Sequence, residues 1–211
     1  MVTCLIAFLS LNLFNATRTH CDRDRKNAKT YAEVERPQGF IFTLAAFGTL
    51  FFFLESIAYP LLAFAGAEIP LRLSFQHDSY VQGIGILLEI SGYSLFMWSV
   101  LERGRYATSW EMREDHKLVT SGPHRYMRHP SYLAYFLMFS GLFFLLLNLV
   151  TLIPLVAIPG YVNLTTYEER LLTRRFGNKY VRYQEETGRF LPKIKALSIR
   201  GCKHAEGISE I

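Results

Sequence analysis

Three observations predict an all-α integral membrane protein of about five transmembrane helices, with a helical hairpin near the C-terminus and a polar pocket facing the cytosol. The 39 residues between Arg128 and Glu168 contain no Asp, Glu, Lys or Arg. Half of the 211 residues are apolar, and they gather in blocks instead of recurring at amphipathic spacing. The Lys and Arg residues fall almost entirely into segments that five crossings place on one side.

The first block, Val2 to Phe14, lacks the basic flank of a secretory signal and is expected to form a short first helix over about 2–14. Uncharged blocks predict a second helix over about 39–65 and a third over about 80–101, interrupted only by Glu55 and Glu89. Carboxylates inside membrane helices are costly unless they are paired or protonated. Their distance from the polar motifs favours a role as hydrogen-bonding glue between helices.

The uncharged stretch after Arg128 would make a helix of roughly 58 Å at 1.5 Å per residue, nearly twice the ~30 Å hydrocarbon core. It therefore predicts two helices, about 131–147 and 149–166, turning near Asn148. A hairpin returns to the side it left, so Arg128-His129-Pro130-Ser131-Tyr132 meets Glu168-Glu169. Beyond it, Glu168, Leu172, Phe176, Tyr180 and Tyr183 form a stripe that suits an interfacial helix over about 168–186, bent at Gly177. Residues 1–197 read as one domain and 198–211 as a polar tail.

Segments 15–38, 65–79, 102–130 and 166–211 hold six, one, six and ten basic residues, which is all 23 of them. Five crossings leave only Arg72 on the far side, so the rich side is cytosolic. The pI of about 9.1 then reflects topology and contact with anionic lipid, and no nucleic-acid partner is implied. Cys4, Cys21 and Cys202 form no CxxC pair, so no disulfide framework is expected. The sequon at Asn15 falls on the cytosolic side, away from glycosylation.

The loop over 102–130 carries His116, Lys117, His124, Arg128 and His129. The histidine spacings match no zinc or di-iron pattern, so no metal is expected. Pro130 suits the first turn of a helix, leaving His129 just outside it. Glu168 and Glu169 end the fifth helix, where the helix dipole disfavours carboxylates. A cation belongs beside them: either Arg170, Arg174 and Arg175 one or two turns on, or a cationic ligand.

The segments His116-Lys117-Leu118-Val119-x-x-Gly122, Arg128-His129-Pro130-Ser131-Tyr132 and Glu168-Glu169-x-x-Leu172-x-x-x-Phe176-Gly177-x-x-Tyr180-x-x-Tyr183, closed by Thr187-Gly188-Arg189-Phe190-Leu191-Pro192-Lys193, resemble the isoprenylcysteine carboxyl methyltransferase family. Phospholipid N-methyltransferases are similar in the Arg-His-Pro and Glu-Glu elements. The resemblance implies a cytosol-facing pocket for S-adenosylmethionine, lined by His116, Lys117, Leu118, Val119, His124, His129, Pro130, Ser131, Tyr132, Glu168 and Glu169. The cofactor's carboxylate would suit the N-terminus of the fourth helix. Two positions depart from the family pattern: His124 replaces a tyrosine, and Leu164 stands where many members carry an arginine.

The expected activity is methylation of the carboxylate of a prenylated cysteine or related lipophilic acid, in the endoplasmic reticulum or a prokaryotic cytoplasmic membrane. A phospholipid N-methyltransferase is the nearest alternative. It would need a base, for which Glu168 and His129 are the catalytic candidates. A membrane reductase using NADPH and a non-catalytic membrane scaffold are the remaining readings.

Overall fold

The computed structural model describes residues 30–33, 39–67, 71–74, 76–104, 106, 111–113 and 116–193. The expected first helix, the polar tail, the sequon and the three cysteines lie outside these residues.

Five α-helices are described: α1 (Phe40–Phe64), α2 (Asp78–Arg103), α3 (Pro130–Leu146), α4 (Ala157–Phe176) and α5 (Asn178–Glu186). Phe40–Phe64, Asp78–Arg103 and the continuous Val150–Phe176 are each long and apolar enough to cross a membrane, whereas Pro130–Leu146 is apolar but shorter. On α1, Phe47, Leu50, Leu54, Ile57 and Leu61 are exposed at helical spacing. Such a stripe suits lipid, which is as apolar as the side chains themselves.

Small residues let the helices cross closely. A Cβ built on Gly85 would collide with the Leu145 backbone, and one on Gly92 would lie 2.6 Å from Met138. These contacts seat α2 antiparallel on α3. Gly48 against Ala157, and Gly160 against Ala45 and the Ile41 carbonyl, do the same for α1 and α4. Without a hydrophobic driving force between lipid-embedded helices, this approach lets dispersion hold the bundle. Phe52, Phe96, Ala134, Met138, Phe139 and Ala157 fill its centre, and Tyr161 stacks on Tyr135 at 5.3 Å.

The hairpin turns at Asn148, which is fully buried. Its Oδ1 accepts from the Val150 amide at 2.7 Å, and its carbonyl accepts from the Thr151 hydroxyl at 2.6 Å. The Leu73 amide donates to the Leu147 carbonyl and Leu149 to Leu71, so the α1–α2 loop is stitched to this turn. At the other end a small antiparallel ribbon pairs β1 (Thr30–Glu33) with β2 (Glu111–Arg113). The ribbon has no sequence forecast, because both strands are too short for a period of two to register.

The second half of the hairpin is divided differently from the expectation. A 3-10 helix, Val150–Val156, leads into α4, which runs on to Phe176 instead of ending near 166. Gly177, at φ +52, stops it and separates α5. Arg174 and Arg175 in the last turn favour the extension through the helix dipole. Glu168 and Glu169 therefore sit two turns inside a helix.

Gly85→Ala is expected to destabilise the protein by about 1–3 kcal/mol through overpacking against the α3 backbone. Gly83→Ala, whose Cβ meets nothing within 4 Å, serves as control. Thermal unfolding of both variants in detergent checks it, and equal midpoints would contradict the proposed close crossing.

Candidate active site

The site is built where the N-terminus of α3 meets the middle of α4 and α5. Pro130 occupies the first turn of α3, and its fixed φ suits that position. His129 caps it with non-helical geometry and points at α4, not at the polar loop. A 3-10 turn, Gly122–Arg125, brings in His124. Gly122 needs its positive φ of 54 there, and a Cβ would lie 2.6 Å from Glu102.

Glu169 is the hub. Its Oε1 accepts from Arg128 Nε at 2.8 Å and lies 3.1 Å from His129 Nε2. Its Oε2 accepts from Arg189 at 2.9 Å and from Gln184 at 3.4 Å. Arg128 also donates to the Thr187 carbonyl at 2.5 Å and the Gln184 carbonyl at 3.2 Å. The Arg128 and His129 amides donate to the carbonyls of Gly188 and Arg189, pinning the chain after α5 as a strap over α3. The cations that α4 lacks at Glu169 are thus supplied from across the fold.

Glu168 has a different environment. Buried at 5% exposure, it accepts a 2.5 Å hydrogen bond from the Tyr132 hydroxyl and lies 3.5 Å from His129 Nδ1. Burial opposes charge on His129, but hydrogen bonds and charge from Glu168 and Glu169 outweigh it and raise its pKa. Both ring nitrogens face carboxylates, so His129 is held in place between Glu168 and Glu169. His124 behaves oppositely. Burial, then the nearby Arg103 charge, push its pKa down to about 4. Its Nε2 lies 3.4 Å from Ser99 Oγ, which is itself 2.6 Å from Ser131 Oγ, and Tyr183 donates to its carbonyl at 2.6 Å.

These groups surround a partly open cavity between α3, α4 and α5. Of the residues the sequence nominated, His116, Leu118, Val119, His124, His129, Pro130, Ser131, Tyr132 and Glu168 line it. Lys117 is exposed and lies outside the lining, and Glu169 sits behind the wall as its support. His116 is packed between Tyr106 and Phe176. Arg103 and Tyr106 also line the cavity but were not nominated. Arg103 follows Glu102 at the end of an apolar block and reads as an ordinary membrane-border cation. The only available signal was that Ser99 and Arg103 share a helix face at i, i+4. No cluster of metal-ligating side chains occurs among the described residues.

A family model described as phospholipid methyltransferase matches residues 81–179, from α2 through the start of α5. Protein-S-isoprenylcysteine O-methyltransferase B of Arabidopsis thaliana is 28% identical over 133 residues, covering 61% of this chain and 68% of that protein. The chain is similar to isoprenylcysteine O-methyltransferases over its α2–α5 region. The Tribolium castaneum protein-S-isoprenylcysteine O-methyltransferase is 30% identical over 131 residues, 57% of this chain and 44% of that one. A solved structure of the eukaryotic intramembrane Ras methyltransferase ICMT (isoprenylcysteine carboxyl methyltransferase) is similar at 28% identity and a TM-score of 0.48, over 72% of this chain. The chain spans about half of that solved chain, 52% of its length.

Glu169→Gln leaves buried guanidinium charge uncompensated and is expected to cost on the order of 3 kcal/mol. It should also loosen residues 187–190, read as a lowered unfolding midpoint and faster proteolysis of the strap. The depressed His124 pKa has its own sign. Between about pH 6.5 and 4 the unfolded chain binds the proton and the folded one does not, so stability falls as pH falls through that window. His124→Asn should flatten this part of the pH profile of the melting midpoint.

Proposed function

We propose that the cavity binds S-adenosylmethionine and that the protein methylates the carboxylate of a prenylated cysteine or related lipophilic acid at the cytosolic membrane face. The observation that carries this reading is Glu168, a buried carboxylate that lines the cavity and is held in place by Tyr132 and His129. Such a group is complementary to a cationic ligand. The names of the similar Arabidopsis and Tribolium proteins support the acceptor class.

The residues fit the cofactor by their chemistry. Two buried donors on the cavity wall, Arg103 Nε and the Tyr180 hydroxyl, have no hydrogen-bond partner, so the wall is prepared for a ligand rich in acceptors. Glu168 would face the cofactor's positive charge, and Leu118, Val119 and Leu172 would exclude water. His116, His124, Pro130 and Ser131 would complete the lining. The cofactor supplies an electrophilic methyl group, and a carboxylate acceptor, with a reference pKa of about 3.5, needs no base. What the protein contributes is orientation in a dry site. Tyr132, whose proton is spent on Glu168, positions that carboxylate.

A second cleft of about 560 Å³ opens beside α1 and α4, lined by Phe40, Ile41, Gly160, Asn163, Leu164 and Tyr167. Leu164 is one turn from Glu168 on the same helix face, so this cleft would pass a lipid chain towards the cavity. The phospholipid methyltransferase description of the family model and the apolar Leu164 favour a lipid amine as the second reading. Against it, Arg103 lines the cavity with an unpartnered donor, which suits an anionic acceptor better than a protonated amine. The loops rich in Lys and Arg would face the cytosol, in the endoplasmic reticulum or a prokaryotic cytoplasmic membrane.

Purified protein should transfer label from S-adenosylmethionine to N-acetyl-S-farnesylcysteine, and Glu168→Ala should weaken cofactor affinity by roughly 10-fold or more. Label in phosphatidylethanolamine instead would establish the amine reading. Unchanged affinity in the variant would remove Glu168 from the site.

A further inference from the structure

Among the described residues, one cation lining the cavity has a buried donor with no partner. Arg128 is consumed by Glu169 and two carbonyls, and His129 by two carboxylates. Arg103 lines the same cavity, yet its Nε is buried without a partner. It is the last residue of α2, one turn beyond Ser99, whose hydroxyl bonds Ser131 at the start of α3. Its charge is close enough to be felt at His124, a second lining residue. A buried guanidinium Nε–H with no acceptor is costly unless something completes it.

The N-terminus of α3, which sequence reasoning assigned to the cofactor's carboxylate, is a poorer receptor. Its Arg128 and His129 amides are held by the strap carbonyls and Pro130 has no N–H to give, which leaves it only the uncharged amides of Ser131 and Tyr132. Leu164 is apolar and buried in the lateral cleft, so no charge is available on that side. We propose that Arg103 is the carboxylate receptor of the cavity, a positioning residue that anchors a ligand through a charge-assisted, planar hydrogen-bonding fork. This rests on the function proposed above. Two carboxylates are available to it: that of the cofactor's aminoacyl end and that of the acceptor.

Calorimetry on the full-length protein in detergent, with S-adenosylhomocysteine and with 5′-methylthioadenosine, which lacks the aminoacyl carboxylate, separates the two. If Arg103 holds the cofactor, Arg103→Gln weakens S-adenosylhomocysteine by roughly 10- to 100-fold and leaves methylthioadenosine within about twofold. If it holds the acceptor, both nucleosides bind as in wild type, and KM for N-acetyl-S-farnesylcysteine rises by a similar factor. Arg103→Lys should restore part of either loss, because charge survives but the fork does not. The ligand-free variant should melt no lower than wild type, since a buried donor without an acceptor has been removed. Equal loss of both nucleosides with a lowered melting midpoint would mean a structural role and overturn the proposal. So would affinity and KM both within about twofold of wild type. Failure of the wild type to bind S-adenosylhomocysteine would instead overturn the functional reading on which the proposal stands.

Discussion

The buried carboxylate of Glu169 is the point on which the polar end of this molecule depends. Three cationic side chains reach it from three parts of the chain: Arg128 before α3, His129 at its cap, and Arg189 from the strap after α5. A buried charge is tolerable only when it is paired and hydrogen-bonded. The Glu169 cluster meets that condition by drawing α3, α4 and the strap to one point. Its neighbour Glu168, with fewer donors of its own, is left facing the cavity. Two adjacent acids thereby take different tasks, one holding the wall and the other lining it.

That division is possible because the helices below are held at short, fixed spacing. The crossings at Gly85, Gly92, Gly48 and Gly160 bring backbones together with little tolerance for a larger residue. They determine how far Tyr132 on α3 stands from Glu168 on α4. A hydrogen bond of 2.5 Å between those helices requires a register correct to a fraction of an ångström. The aromatic stack of Tyr135 on Tyr161 lies just beneath it and braces the same pair of helices.

The hairpin, its turn at Asn148, the apolar blocks of α1 and α2 and the meeting of Arg-His-Pro with Glu-Glu were all legible in the sequence. Each is a consequence of local composition or of chain length measured against bilayer thickness. The end of α4 was less so. The charge of Glu168 looked like the end of a membrane span, whereas the helix continues for as long as its backbone gains hydrogen bonds and stops only at Gly177. Lys117 and Glu169 share the motifs of the lining residues, and nothing in spacing alone separates a residue that faces the cavity from one that faces away.

By itself the sequence determined that the protein is helical and membrane-embedded, and that its polar motifs converge on one face. Hydrophobic length and charge placement are properties of segments, and they survive without knowledge of neighbours. Only the tertiary structure decided which carboxylate is satisfied and which is offered, that His129 is held between Glu168 and Glu169, and that the Arg103 Nε–H is buried without an acceptor. Those facts depend on which donors reach which acceptors across helices distant in sequence. Such pairing is set by packing to within an ångström, a scale that composition and periodicity do not carry.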